Sequence, residues 1–414
     1  MPTRNYRRTG LALATAVTVI GLTACGGGNP AAPGGTSYSP NSNEVSVLIG
    51  SSGAAETKAV QDAVAAWSKS SGVPTKVIVA SNLTQEAAQG FASGKPADVL
   101  YVSTDSFAGW AKNGSLEAYG DSLPNKDDFY PGLLSAFTFK DKVYCAPKDF
   151  STLGLVINAK MWADAGLTDA DVPKTWADLE SVAKKLTKGN VVGLAFGPEV
   201  QRIGVFLGQA GGGLVSSDGK TATANSAANI EGLTFVKKAL TDGWAKYSSD
   251  LGSGWGGEAF GKQQAAMVIE GNWISGAMSS TYPTVKYTVA ELPAGKQKST
   301  LQYTNCWGIS TDGDNKGAAI ELVKALTATD QQLAFAKAFG VMPSIKSAAD
   351  GYKSAYPGMA AFLAGVDYAQ NLPAQVGASD VLKDFNSQLE QLKSKDPKTI
   401  LDSVQKNLEP VVTG

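Results

Sequence analysis

No histidine occurs in this sequence. The chain therefore cannot activate a nucleophile through a Ser-His-Asp or Cys-His arrangement, and it can form no metal site that uses imidazole. Basic residues are not in excess either, since 36 Lys and Arg stand against 37 Asp and Glu. Nucleic-acid binding calls for a basic patch or stripe, so this balance does not favour it. We expect no cofactor and no nucleic-acid partner.

After residue 25 the sequence contains no stretch of about 18 consecutive apolar residues, the length that a transmembrane helix requires. The N-terminus is different, because three arginines precede a small and apolar run that ends in Leu22-Thr23-Ala24-Cys25. This ending resembles a lipobox, in which the cysteine is acylated through its sulfur and becomes the mature N-terminus. We expect residues 1–24 to be a signal peptide and Cys25 to be a lipid anchor. The alternative is an ordinary secretory signal beside an incidental cysteine.

Cysteine is scarce, with three in the whole chain. Residues 25–43 comprise the cysteine of the proposed anchor and a segment that is mostly Gly, Pro, Ala, Ser and Asn, which predicts a flexible linker. Cys145 and Cys306 then remain. Outside the cell, an even pair of remaining cysteines indicates a disulfide, and two buried free thiols are the alternative.

Apolar patterns in the body of the chain predict alternating strands and helices. Strand-like runs at 45–49, 76–79 and 97–102 are separated by helical patterns. This order predicts a parallel sheet with helices on both faces. Further strands are expected at 153–157 and 266–269.

Capping signals mark several helices in the second part of the chain. Thr175 and Asp178 have the spacing of a capping box. Thr329 and Gln332 predict the start of another helix, which runs to about Gly340. The C-terminal segment has a helical pattern with a break near Asp396-Pro397.

Several short motifs follow one another in a recognisable order. They are Gly94-Lys95-Pro96-Ala97-Asp98-Val99 with Asp105 and Trp110-Ala111-Lys112-Asn113-Gly114; Val143-Tyr144-Cys145-Ala146-Pro147 with Gly154-Leu155-Val156-Ile157-Asn158; Gln209-Ala210-Gly211-Gly212; Trp255 and Glu258-Ala259-Phe260 with Ala265-Ala266-Met267 and Gly271-Asn272-Trp273; Leu292-Pro293-Ala294-Gly295; and Met342-Pro343-Ser344. This series resembles the bacterial extracellular solute-binding proteins of the maltose-binding type, and it covers nearly the whole body of the chain.

The resemblance implies an α/β, two-lobe periplasmic-binding-protein-like fold with a hinge and a cleft between the lobes. Residues 44–148 and 307–345 would form the first lobe, and residues 149–306 and 346–414 the second. Cys145 and Cys306 would then both lie beside the hinge.

The same resemblance implies a binding protein and not an enzyme. It would be a monomeric lipoprotein on the extracellular face of the cytoplasmic membrane that captures an oligosaccharide, with maltose, maltodextrin or a related α-glucoside favoured. It would deliver this sugar to the transmembrane permease subunits of an ABC importer. The alternatives are another solute such as a peptide or polyamine, a secreted glycosidase, and a structural surface lipoprotein.

Sugars present apolar C–H faces and a rim of hydroxyl groups, so their sites combine aromatic rings with short polar side chains. Trp273 is the first candidate for a stacking ring by resemblance, and Trp255 and Trp307 are the next. For each of them the alternative is a tryptophan of the core.

Polar candidates lie beside these rings or after the predicted strands. Asp105 occupies a position where the family binds sugar hydroxyls, although an aspartate there could also cap a helix. Gln201 departs from the family, which has a stacking aromatic residue at this position. The remaining candidates are Glu199, Ser52, Asn82, Asp149, Ser151, Glu270 and Asn272, and for Ser52 and Asn82 an ordinary turn is the alternative.

Overall fold

The computed structural model describes residues 44–413. The strands in this range are β1 (Val45–Ile49), β2 (Thr75–Val79), β3 (Val99–Ser103), β4 (Thr138–Phe139), β5 (Lys142–Val143), β6 (Cys145–Asn158), β7 (Val192–Phe196), β8 (Ala245–Tyr247), β9 (Ala265–Gly271), β10 (Tyr287–Ala290), β11 (Thr300–Ile309) and β12 (Ala369–Gln370). The α-helices are α1 (Ala54–Ser71), α2 (Leu83–Ala92), α3 (Thr104–Lys112), α4 (Pro131–Ser135), α5 (Ala159–Asp164), α6 (Trp176–Leu186), α7 (Val200–Gln209), α8 (Ala227–Thr241), α9 (Gly256–Gly261), α10 (Ile274–Ser280), α11 (Lys316–Leu326), α12 (Thr329–Phe339), α13 (Ala349–Ala355), α14 (Ala360–Ala364), α15 (Ala378–Leu389) and α16 (Pro397–Thr413).

The main sheet is mixed and runs in the order β2-β1-β3-β11-β6-β9-β7-β8. At one end β2, β1 and β3 are parallel, as the sequence pattern predicts. At the other end β9, β7 and β8 are parallel. The strands β11 and β6 lie between these two ends and pair antiparallel with each other and with their neighbours. The chain therefore folds as two α/β lobes joined through β6 and β11, and the predicted fold class is confirmed.

Each end of the sheet is covered by helices that bury an apolar face. Around β1 and β3, helices α1, α11 and α12 contact one another, and Val60, Val99 and Leu322 belong to one buried cluster. Around β7 and β9, helices α7, α8 and α16 enclose a second cluster that includes Phe206 and Leu401. Burial of these apolar surfaces is the dominant favourable contribution to folding.

Local chemistry explains several helix ends. Thr175 and Asp178 form the predicted capping box at the start of α6. Pro397 begins α16, which places the C-terminal break where the sequence indicates it. The predicted cap at Thr329 and Gln332 is wrong, because α12 begins after Ala328 without a side-chain cap. Gln332 instead donates a hydrogen bond to the Lys148 carbonyl oxygen at 2.9 Å and so ties α12 to β6.

The predicted disulfide between Cys145 and Cys306 is confirmed. It joins β6 to β11, with a distance of 5.5 Å between the two Cα atoms, and both residues are fully buried. No helix in residues 44–413 is long and apolar enough to cross a membrane. The predicted signal peptide, Cys25 and the linker lie outside the described residues.

Candidate functional site

The strands β6 and β11 form a ribbon between the lobes, and one face of it is open. Ser151 pairs with Tyr303, and Asp149 pairs with Asn305. Because paired residues and residues two apart on a strand point to the same side, these four side chains share one face. Ser151, Tyr303 and Asn305 are half-buried there, whereas Phe150 on the opposite face is completely covered. The open face therefore presents polar groups and one aromatic ring.

Trp273 stands next to this face, two residues after the end of β9. Its side chain is 36% exposed, which is unusual among the large apolar residues of the range 44–413. The ring meets Tyr303 edge-on, with 5.6 Å between the ring centroids. It also lies so close to Gly271 that a Cβ on this residue would come within 2.2 Å of the ring. Only a glycine at the end of β9 lets the indole occupy this place.

A cluster of charged side chains lies behind the Trp273 ring. Arg202 Nη2 donates to Glu270 Oε2 at 2.8 Å, and the same oxygen accepts the indole N–H of Trp273 at 3.0 Å. The Arg202 guanidinium carbon is 5.1 Å from the indole centroid. Glu199 Oε1 lies 3.8 Å from Arg202 Nη1. The cluster thus joins the start of α7 to the end of β9.

Burial decides the electrostatics of this cluster. It raises the pKa of the Glu199 carboxyl; Arg202 opposes the rise, and Glu270 adds to it. Burial alone would lower the pKa of Arg202, but Glu270, Tyr303 and Glu199 together outweigh this effect, so the pKa of the guanidinium is raised and its charge is retained.

A second charged cluster is buried at the beginning of the ribbon. Lys148 Nζ bonds Glu56 Oε1 at 3.0 Å and also contacts the Asp149 carboxylate. Glu56 further accepts bonds from the Ser52 backbone N–H and hydroxyl, at 2.8 and 2.6 Å. The Tyr101 hydroxyl donates to it at 3.0 Å. Predicted site residues Ser52 and Asp149 are therefore joined through Lys148 and Glu56.

These contacts shift the pKa values in different directions. Burial alone would raise the pKa of Glu56, but Lys148 and Ser52 together hold it below its usual value. Burial alone would lower the pKa of Lys148, but Asp149, Tyr101 and Glu56 raise it overall. For Asp149, burial prevails over Lys148, and its pKa is raised.

Asp105 lies on the first turn of α3 with an exposed side chain, and the helix cap is Ser103 instead. Gly109 is one turn further along the same helix face. A Cβ built on Gly109 would lie 3.9 Å from Val376, a residue that is 56% exposed. Leu372 from the same segment lies within 3.8 Å of the corresponding position at Gly204 on α7. The segment 371–377 therefore lies between α3 and α7.

The structure does not support two of the predicted site residues. Trp307 is 0% exposed and packs edge-on against Tyr101, so it offers no free face for stacking. Its side chain points to the same side of β11 as Asn305 but belongs to the buried cluster around β1 and β3. Asn82 caps α2 by accepting the Gln85 backbone N–H at 3.2 Å.

Three further predicted residues lie near the Trp273 cluster, but their side chains are engaged in packing or hydrogen bonds elsewhere. Trp255 is half-buried against a hydrophobic cluster at the start of α9. Asn272 is 3% exposed and donates to the Gly340 carbonyl oxygen at 3.1 Å. The Gln201 side-chain oxygen accepts a bond from Asn386 at 3.2 Å, and the Gln201 backbone carbonyl oxygen accepts the Tyr303 hydroxyl at 2.5 Å.

Sequence reasoning missed Arg202, Tyr303, Asn305 and Val376. Arg202 follows Glu199 by three residues, a spacing that brings side chains together on a helix. Tyr303 and Asn305 alternate with buried neighbours on β11, which is the pattern of a strand with one open face. Val376 carries no signal of this kind, because its segment has no regular periodicity.

Comparison with known families identifies the chain. The profile of the bacterial extracellular solute-binding proteins matches residues 50–333, which is more than half of the sequence. The chain belongs to this family. The expectation of a binding protein rather than an enzyme agrees with this membership.

Individual relatives share less than a third of their residues with this chain and match it over part of its length. The diacetylchitobiose binding protein DasA of Streptomyces coelicolor is 24% identical over 276 residues, 64% of each chain. A maltooligosaccharide ABC transporter solute-binding lipoprotein of Streptococcus pneumoniae is 28% identical over 263 residues, 58% of each chain. The chain thus spans about three fifths of the length of these two curated relatives.

A solved structure covers more of the chain. The cyclic alpha-maltosyl-1,6-maltose binding protein of Arthrobacter globiformis has a TM-score of 0.79 and 20% identity. The superposition covers 89% of this chain and 99% of that protein. This likeness shows that the two proteins share a fold.

Proposed function

We propose that the protein is the substrate-binding lipoprotein of an ABC sugar importer and that it captures an oligosaccharide against Trp273. The observation that carries this proposal is an exposed indole ring, 36% accessible, beside a row of polar side chains. A sugar needs both, because its C–H face stacks on an aromatic ring while its hydroxyl groups exchange hydrogen bonds.

Each side chain of the proposed site makes the type of contact with the sugar that its chemistry allows. Trp273 stacks on one sugar ring, and Ser151 and Asn305 on the open face of the ribbon bond its hydroxyl groups. The Asp149 carboxylate beneath them is buried and stays paired with Lys148. Asp105 on α3 approaches from the other lobe. Val376 supplies an apolar contact to the sugar beside Asp105, since its side chain is exposed and lies close to Gly109 on the same face of α3.

We favour a neutral oligosaccharide and, first among these, a maltodextrin or another α-glucoside. Relatives of this chain are named for maltooligosaccharide and for a cyclic maltosyl-maltose. Another relative is named for diacetylchitobiose, so β-linked amino sugars belong in the same set of test ligands.

Binding would proceed by closure of the lobes, taken as residues 44–148 with 307–345 and residues 149–306 with 346–414. Since only a closed cleft contacts the sugar from both sides, the sugar shifts the population toward that form. The closed form would then dock on the transmembrane permease as a monomer. Small-angle scattering with and without sugar measures this change, and an unchanged radius of gyration would contradict it.

We infer further that Cys25 is acylated and holds the protein on the extracellular face of the cytoplasmic membrane. Labelling cells with a radioactive fatty acid should mark the protein. Cys25→Ser should abolish the label and release the protein into the medium. An unlabelled wild-type protein would leave an ordinary secreted form instead.

The decisive experiment is a thermal-shift screen of residues 44–414 against mono- and oligosaccharides, peptides and polyamines. Ligand at about 100 times its Kd stabilises the folded state by roughly 2.7 kcal/mol. We expect a shift with one family of neutral sugars and its loss in Trp273→Ala. A shift with peptides or polyamines alone would change the substrate class, and no shift at all would favour a structural role. Incubation of the bound sugar followed by chromatography should return it uncleaved, which distinguishes binding from glycosidase activity.

A further inference from the structure

Arg202 contacts both the Trp273 ring and the carboxylate that holds the indole N–H. Its guanidinium lies 5.1 Å from the indole centroid and bonds Glu270 Oε2 at 2.8 Å. The same glutamate oxygen holds the indole N–H at 3.0 Å. Arg202 also opposes the pKa rise that burial causes at Tyr303, whose ring meets the indole edge-on.

The Trp273 ring needs such support because burial does not hold it. With 36% of its side chain exposed, the indole would otherwise change rotamer freely, and a sugar would have to order it on binding. Glu270 holds the indole N–H, the guanidinium lies over the ring, and Tyr303 and Gly271 pack against it. The part of Trp273 that stays exposed remains for a ligand.

We propose that Arg202 is a positioning residue for the sugar site, which holds the partly exposed Trp273 ring in one orientation. This inference rests on the proposed function, because it assigns a role within the same site. The planar guanidinium lies over the ring and bonds the carboxylate through a separate nitrogen, whereas the compact ammonium group of a lysine has a single nitrogen for both contacts. Lysine should therefore replace arginine poorly, although it keeps the charge.

The chain offers a matched control. Lys298 lies 5.4 Å from the Tyr368 ring centroid and bonds Glu291 Oε2 at 2.8 Å. The Tyr368 hydroxyl donates to that same oxygen at 2.6 Å. This arrangement repeats the cation, ring and carboxylate of the Trp273 cluster at an exposed site, so Lys298→Met controls for loss of such a contact in general.

The first test needs no ligand. In the purified protein, the emission and acrylamide quenching of Trp273 are taken as the difference between the wild type and Trp273→Phe. The same difference is measured in Arg202→Met, Arg202→Lys and Lys298→Met backgrounds. We expect greater quenching and a red shift in both Arg202 variants and none in Lys298→Met. Unchanged Trp273 emission in Arg202→Met would overturn the proposal even if no sugar has been found.

The second test uses the sugar from the thermal-shift screen and isothermal titration. Arg202→Met should weaken binding on the order of tenfold, as expected for loss of a partly buried cation–ring contact. Arg202→Lys should resemble Arg202→Met, and Lys298→Met should bind like the wild type. In a Trp273→Ala background, Arg202→Met should have no further effect. An equal loss in both backgrounds would show a merely structural role and would contradict the proposal.

Failure of the proposed function is a separate outcome. If the wild type binds no sugar, the importer assignment fails, while the quenching experiment still decides whether Arg202 fixes the ring. If sugar binds and Arg202→Met binds it within twofold of the wild type, the positioning role fails alone.

Discussion

Lys148 Nζ lies 3.0 Å from Glu56 Oε1, and both side chains are withdrawn from water, with 7% and 5% exposed. This ion pair joins helix α1 to the first part of the strand that runs between the lobes. Asp149 contacts the same ammonium group. The buried Lys148 ammonium group therefore pairs with both the Glu56 and the Asp149 carboxylates.

Lys148→Met should destabilise the protein by about 3–5 kcal/mol, because it leaves two buried carboxylates facing each other without a cation. Urea unfolding followed by circular dichroism measures this change. Lys58→Met is the matched control, since Lys58 pairs with Asp62 in an exposed position and such pairs contribute little. Equal losses in the two variants would refute the importance of the buried cluster.

Two tryptophans should respond in opposite ways to truncation. Trp273→Ala should weaken sugar binding roughly 30-fold or more, as for a central contact residue, with little loss of stability. Trp307→Ala should cost about 3–5 kcal/mol of stability, because it empties part of the core, while the folded fraction keeps its affinity. Titration calorimetry and urea unfolding of each variant provide both quantities. A Trp273→Ala protein with normal affinity would remove the proposed platform.

The stability of the ligand-free protein should depend on the ionisation of Glu199. Its pKa is raised in the folded protein, so the folded state binds more protons than the unfolded state above the ordinary value of about 4.3. Stability relative to Glu199→Gln should therefore fall as pH rises from about 4, and then level off once the folded carboxyl has ionised. The charged and titratable groups around it are Arg202, Glu270, Tyr247 and Tyr303. Urea midpoints from pH 4 to 7 test this, and a difference that grows in favour of the wild type would have the wrong sign.

Loss of the disulfide should lower stability without changing the site. Cys145→Ala with Cys306→Ala removes a bond between residues 161 positions apart, and we expect a loss of about 2–5 kcal/mol. A reductant should lower the urea midpoint of the wild type and leave that of the double variant unchanged. Equal midpoints for the oxidised wild type and the double variant would contradict a stabilising role.

Much of the fold could be predicted because its signals are local. The first strand has the bounds of its apolar run, Val45–Ile49, and the capping box at Thr175 and the break at Pro397 depend on neighbouring residues alone. Gln332 shows the limit of predicting a side chain's role from its sequence neighbours alone. Its side chain bonds a strand 184 residues away instead of capping its own helix.

The site could be predicted only in part for the same reason. The motif around Trp273 identifies the exposed ring, but Arg202 reaches Glu270 across 68 residues, and no spacing in the sequence indicates that pair. Trp307 lies close to the crossing point and, two residues after Asn305, on the same side of β11. At that position the side is covered by the cluster around β1 and β3, and position along the chain does not reveal where such a cover begins.

The bond between Cys145 and Cys306 has a topological consequence. It closes the intervening chain into a covalent ring that begins and ends on neighbouring strands. A protease that cuts one peptide bond within residues 146–305 would open this ring and release no fragment. Among the secreted proteases found outside cells, a nicked molecule would thus remain one covalent species, and its two parts would separate on a gel only after reduction.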